Sequence, residues 1–205
     1  MIRKHGNFDP VQERADVTRN DILEAAQIVF SNKGYAGANT KNIAAAAGVA
    51  TGSVYRYFKN KKIIFIEVMN MLQGQDGAEI YDTARKLFEE GKDFRDVLRL
   101  LGGASVEFHR KNRMFFREVM ALEATDDEIA AIGRERDSRI RAALFELLQS
   151  RKDQIKVDDL EAASELIHLV ISKISHHAVI FDSCVGEDRL FFQMLNMLEG
   201  YLLAS

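Results

Sequence analysis

Between Thr51 and Phe58 the chain sets out Thr51, Ser53, Tyr55, Arg56 and Tyr57, a run of hydroxyls around one guanidinium. If this stretch is helical, Val54 and Phe58 fall on one face at i, i+4 spacing, and the polar set turns outward. Hydroxyls suit phosphate oxygens, and a guanidinium fits the O6/N7 edge of guanine in a major groove. The charge pattern points the same way. Residues 1–62 hold ten Lys/Arg against five acids, whereas the remaining 143 residues hold 18 basic and 26 acidic residues. No Asp or Glu occurs between Glu24 and Glu67, a stretch that carries Lys33, Lys41, Arg56, Lys59, Lys61 and Lys62. Excluding acids from such a stretch of an acidic chain predicts a surface that meets a polyanion, and a nucleic acid is the expected partner.

The elements needed to position those groups are helices. Asn39 is an N-cap for a short helix Thr40–Ala47, Gly48 supplies the positive φ of a tight turn, and Thr51–Phe58 forms the next helix. The alanines Ala44–Ala47 permit close approach, with Ile43 and Val49 packing beneath the corner. Upstream, Thr18 is read as the cap of a helix with the apolar face Ile22, Leu23, Ala26, Val29 and Phe30, closed by Lys33 and Gly34. A fourth helix starts at Asn60 and extends to about Glu90, with Gly74 and Gly77 as candidate breaks. Further segments are Phe94–Phe108, Met114–Glu123, Asp126–Lys152 with Thr125 as its cap, Val157–Asp182 and Glu187–Leu203. The expectation is an all-α fold of about nine helices, which the single proline also favours.

At 47% apolar and 29% charged, the chain has the composition of a globular protein with a substantial core. No apolar run is long enough to span a bilayer, so no membrane partner is expected. The lone Cys184 has no partner for a disulfide, and a cytoplasmic setting follows.

Residues 18–66 resemble the DNA-binding domain of the TetR family of bacterial transcriptional regulators. The resemblance lies in Ile22-Leu23-x-Ala25-Ala26-x-x-x-Phe30 and Gly34-Tyr35, then Ile43-Ala44-x-x-Ala47-Gly48-Val49, Gly52-Ser53-Val54-Tyr55-x-Tyr57-Phe58, and Lys61 with Phe65. It implies an N-terminal three-helix DNA-binding domain with a helix-turn-helix, and a C-terminal helical ligand-binding and dimerisation domain. The expected boundaries are a flexible arm at 1–16, the DNA-binding domain at 17–62 (motif about 39–58) and the second domain at 63–205. The resemblance further implies a homodimeric repressor on a pseudo-palindromic operator, released by a small-molecule effector. By position, Thr51 and Ser53 would face bases or phosphates, and Tyr55 and Tyr57 would bond phosphates. Arg56 would reach base edges, Lys61 would clamp a phosphate, and Thr40 and Lys41 would offer a helix N-terminus to the backbone. Two positions depart from the family pattern: Ala50 stands where a capping serine is usual, and Thr51 where lysine is frequent.

Other chemistry fares poorly. Glu165-Leu166-Ile167-His168 has the Glu-x-x-His spacing of di-iron bundles, but no second copy exists among the five histidines. His168 and His176 are two turns apart on the expected helix, too far for one ion, so no metal and no cofactor are expected. No phosphate-binding glycine loop or nucleophile elbow is present, so the chain is not expected to be an enzyme. Most of the thirteen phenylalanines lie beyond Met71, and a soft aromatic interior suits an apolar ligand. The expected pocket residues are His109, Arg113, Phe116, Arg117, Met120, Glu123 and His168, while the charges at Arg134–Arg141 read as a solvated face. The last two segments are apolar on more than one face, which predicts burial on two sides. Leu166, Val170, Ile174, Phe191, Leu195, Leu198 and Leu202 are the expected dimer contacts.

Overall fold

A computed structural model describes residues 10–181 and 183–203, and their side chains except for 10–17, 73 and 75–81. Among the described residues there are nine α-helices and no strand beyond one isolated bridge, Ile155 with Leu203. The chain divides into two compact units, Met1–Met71 and Leu72–Ser205, so the boundary falls later than the expected position after Lys62.

The first helix, α1, spans Pro10–Gly37, earlier than a Thr18 cap allows. Proline is well placed there: its φ is already helical and its missing N–H would have no partner in the first turn. Residues 10–16 are therefore helical where an arm was expected, and the rest of that arm lies outside the described residues. Gly34 interrupts α1 with φ 68°, where the cap was expected. The next helices are α2, Thr40–Ala46, and α3, Thr51–Tyr57. Asn39 caps α2 by accepting from Asn42 N at 2.9 Å, and Gly48 turns the chain at φ 66°. Helix α4, Lys61–Glu89, starts in one unit and ends in the other, and neither Gly74 nor Gly77 breaks it.

Among the described residues, the first unit's core is apolar. Ile22, Phe30, Ile43, Val54, Phe58, Ile64 and Phe65 are buried, and each such side chain contributes roughly 1.5–3 kcal/mol. The Phe65 ring meets Phe30 and Tyr35 edge-on at 5.1 and 5.2 Å. The Arg19–Glu67 ion pair, at 2.6 Å, ties α1 to α4 beside this cluster.

The second unit continues with α5, Phe94–Lys111, α6, Arg113–Glu123, and α7, Asp127–Ser150. Then come α8, Leu160–Ser175, a π-helical turn at His176–Ile180, and α9, Glu187–Leu202. Asp126, not Thr125, caps α7, because its carboxylate accepts from the Glu128 and Ile129 amides while the Thr125 hydroxyl donates back to Ala121 O. Asp159 caps α8 through Ala162 N, which moves that helix's start from Val157 to Leu160. Its expected end, Asp182, lies outside the described residues. The core gathers Phe88, Phe94, Leu98, Leu148, Ile167, Met194, Leu198 and Leu202 from α4, α5, α7, α8 and α9.

Candidate functional site

The sequence of α3 exposes its polar face because Val54 and Phe58 are drawn into the core, at 0% and 2% exposure. Tyr55 and Arg56 are exposed, and Thr51, Ser53 and Tyr57 are half-buried. The Tyr55 hydroxyl lies 2.9 Å from Thr40 Oγ1, joining the start of α2 to the middle of α3. Lys41 is exposed beside it. The Arg56 guanidinium lies 5.4 Å from the Tyr57 ring centroid, which holds its long side chain against α3. Thr40, Lys41, Tyr55, Arg56 and Tyr57 thus form one surface of hydroxyls and cations on two consecutive helices. Ala50, the residue before α3, makes no side-chain cap.

Lys61 is held differently. Its Nζ donates to the carbonyl oxygens of Tyr35 at 2.6 Å and Ala38 at 3.0 Å, and sits 4.3 Å from the Tyr35 ring centroid. The ammonium thereby closes the carbonyls at the end of α1 as well as marking the start of α4. Its three donors leave one N–H for a phosphate. Tyr35 was visible in the sequence only as part of a motif; nothing in the spacing connects it to Lys61.

In the second unit a polar cluster collects from four helices and the π turn. His109 Nδ1 lies 2.7 Å from Ser105 O, and His109 Nε2 lies 2.9 Å from His176 Nε2. His168 Nε2 lies 3.5 Å from Asp137 Oδ1, and Arg136 pairs with both Asp137, at 2.9 Å, and Glu123, at 3.6 Å. Burial lowers the His109 pKa, with Arg136 adding to the effect against the bond to Ser105. Burial, His109, Lys173 and Arg136 push His176 down to about 3. Burial raises the Glu123 carboxyl. Burial also pushes Asp137 upward, but the bond from His168 and the charge of Arg136 outweigh it and bring the carboxyl to about 2.

Of the expected pocket residues, His109, Phe116 and His168 are buried, and Arg113, Met120 and Glu123 are half-buried. Arg117 is exposed, because α6 turns Phe116 and Val119 inward and leaves Arg117 on the far side. Arg136 and Asp137 sit half-buried among these groups, which corrects the reading of Arg134–Arg141 as an entirely solvated face. The signal was available: Ile129, Gly133, Arg136, Asp137, Ile140 and Leu144 continue one helical stripe. His176 had no such signal, since its placement depends on the π turn.

The expected dimer contacts also divide. Leu195, Leu198 and Leu202 are 6%, 1% and 0% exposed within this chain, and Val170, Ile174 and Phe191 pack against the same core. The first three are core residues, and the other three are partly buried against that core. Leu166 remains exposed, and the other large exposed apolar residues of the two helices are Leu169, Phe192 and Met197.

A helix-turn-helix with a hydroxyl- and arginine-bearing second helix, on an all-helical chain, defines the class of a DNA-binding regulator. Comparison with known proteins agrees. Residues 22–68 match the family described as "Bacterial regulatory proteins, tetR family", and residues 93–202 match "Tetracyclin repressor-like, C-terminal domain". The chain belongs to the TetR family of transcriptional regulators, a class without enzymatic activity. AcrR of Shigella flexneri is 35% identical over 66 residues, which is 32% of this chain and 31% of that protein's length. YvkB of Bacillus subtilis, a helix-turn-helix transcriptional regulator, is 27% identical over 82% of this chain and 79% of its own. A TetR-family regulator from Mesorhizobium loti shares the fold at a TM-score of 0.78 and 19% identity, over 93% of this chain and 99% of that one. Among the described residues no helix is long and apolar enough to cross a membrane.

Proposed function

We propose that this protein is a cytoplasmic repressor that binds a pseudo-palindromic operator as a homodimer and is released by a small-molecule effector held in its C-terminal unit. The observation that carries this reading is the surface on which exposed Tyr55 and Arg56 join half-buried Thr40 and Tyr57, within a stretch free of acidic residues. Arg56 and the start of α3 read base edges. The hydroxyls, Lys41 and the remaining Lys61 N–H hold phosphates. A lone helix-turn-helix reads few base pairs, so a second copy one helical turn away supplies the rest of the specificity. Leu166, Leu169, Phe192 and Met197 are the apolar residues on α8 and α9 that a two-fold partner would cover.

His109, Arg113, Phe116, Met120, Glu123 and His168 give the second unit polar groups inside an aromatic surround, which suits an effector. Linkage then fixes the relation between the two ligands: an effector that weakens operator binding is itself bound more weakly, by the same factor, when operator is present. The test begins with genomic fragments retained by the purified protein. Their shared half-sites are then measured by fluorescence anisotropy against scrambled duplex, with and without fractionated metabolites. Equal affinity for the retained and scrambled duplexes would overturn the repressor reading.

A further inference from the structure

The polar cluster of the second unit has a defined hydrogen-bond direction. A carbonyl oxygen only accepts, so His109 must carry its proton on Nδ1 to bond Ser105 O at 2.7 Å. His109 Nε2 is then bare, and His176 Nε2, at 2.9 Å, is the donor to it. With both rings neutral, His176 Nδ1 is left as an acceptor. That atom is buried and has no hydrogen-bond partner. A second acceptor, Glu123 Oε1, is in the same condition. Its nearest cation, Arg136, is at 3.6 Å, beyond hydrogen-bond reach. The absence of a side chain at Gly133 makes room for this carboxylate, since a Cβ there would lie 2.4 Å from Oε1.

Both acceptors belong to one neighbourhood, because α6, which carries Glu123, packs against the π turn that begins at His176. The apolar side of it is aromatic: Phe116 lies 5.0 Å from the His109 ring and 5.1 Å from Phe108, between centroids. The backbone is also unusual there, as His176 opens the π-helical turn. Turns of that kind concentrate at functional sites, because the wider ring re-aims a side chain that an α-helix would carry elsewhere.

We propose that His176 Nδ1 and Glu123 Oε1 receive the effector's polar head, so that the effector is a hydrogen-bond donor, an alcohol or amine on a small apolar body. This rests on the reading of the C-terminal unit as the effector-binding domain. A carboxylate head would bring lone pairs against lone pairs at both positions. A donor head completes the relay from Ser105 through His109 and His176, and an amine adds an ion pair with Glu123.

Three probes with one apolar body separate the heads: benzyl alcohol, benzylamine and benzoate. Nitrogen–proton correlation spectra of the full chain, labelled with 15N, are expected to show His109 protonated on Nδ1 and His176 on Nε2. Benzyl alcohol and benzylamine should shift the His176 Nδ1 resonance; benzoate should leave it in place. His176→Phe should abolish both shifts in binding-sensitive signals of Phe116, and Glu123→Gln should weaken benzylamine about tenfold with little effect on benzyl alcohol. Glu123→Gln decides the matter alone if the histidine variant fails to fold. The proposal is overturned by benzoate binding as tightly as the donors, by no probe moving His176, or by the opposite His176 tautomer. A metabolite fraction that releases operator without moving His176 also overturns it, while the effector-domain reading stands. Donors that move His176 and leave operator affinity unchanged support the site and remove the effector-domain reading instead.

Discussion

The two units use their polar residues in opposite ways. In Met1–Met71 the described core is apolar and the hydroxyls, Lys41 and Arg56 are turned outward. In Leu72–Ser205 the polar groups that matter are inside, where His109, Ser164, His168 and Ser175 are buried and Asp137 is held ionised by His168 and Arg136. A polymer with a regular phosphate backbone can be met on a convex surface, with few groups removed from water. A small molecule offers so little area that recognition requires enclosing it, and enclosed polar groups must then find partners. Under the proposed function, the difference between the units follows from the size of the partner each meets.

The sharpest way to break this comparison is to charge the two sides of α9 in turn. Leu198→Arg places a cation at a position 1% exposed and is expected to cost more than ~4 kcal/mol, unfolding the second unit in calorimetry. Phe192→Arg, at 60% exposure, is expected to leave that melting transition in place and yield monomers in sedimentation. A folded Leu198→Arg dimer would put the core elsewhere.

Acid provides the next largest contrast. In the folded second unit burial holds His176 neutral down to about 3 and lowers His109 as well, whereas in the unfolded chain both protonate near 6.5. The unfolded state therefore gains protons first as pH falls. The His176 contribution is complete above about pH 6.5 and is lost progressively toward pH 3, at ~1.4 kcal/mol per pH unit, and His109 adds to the loss in the same direction. The charges of Lys173 and Arg136 extend the loss to lower pH, and that of Asp137 offsets part of it. The first unit has no histidine among its described residues. Melting curves between pH 7 and 5 should show the second unit falling first, and His176→Phe should flatten its slope.

On the DNA side, Arg56→Ala is expected to cost ~1–3 kcal/mol on operator and almost nothing on random duplex, as anisotropy will show. Lys61→Ala should weaken every duplex alike. It should also lower the first unit's melting temperature, since the Tyr35 and Ala38 carbonyls lose their donor. An unchanged melting temperature would leave Lys61 a phosphate contact alone. The smallest effect is a gain: Ala50→Ser should cap α3 and stabilise the first unit by ~1 kcal/mol. No gain in thermal unfolding would show that tertiary contacts already fix the start of α3.

The helix-turn-helix was legible because its determinants are local: Asn39 caps, Gly48 turns, and Val54 with Phe58 fixes which face of α3 is buried. Such signals act within a few residues and survive whatever surrounds them. The start of α1 was missed because Thr18 offers an attractive cap while Pro10 offers an earlier start. On α9 the reading failed for a different reason. Gln193 and Asn196 mark its exposed face, but Phe192 and Met197 share that face, so apolar residues surround the inner stripe of Met194, Leu195 and Leu198 and blur its edge. His176 was beyond reach, because one extra residue in a helical turn rotates everything after it and no residue type announces that insertion.

The short bridge between Ile155 and Leu203, reinforced by Lys156 N donating to Leu202 O at 2.9 Å, has a consequence for the order of events on the ribosome. It joins the linker before α8 to the residues after α9, and the same core needs Leu195, Leu198 and Leu202. The second unit therefore cannot close until its last helix has emerged. The contacts that build the first unit all lie within Met1–Met71, and synthesis of the rest takes on the order of ten seconds. The nascent chain thus carries a finished first unit well before its second unit can close. Under the proposed function, an unfinished chain therefore offers DNA a single head without its two-fold partner, too weak a grip to occupy the operator.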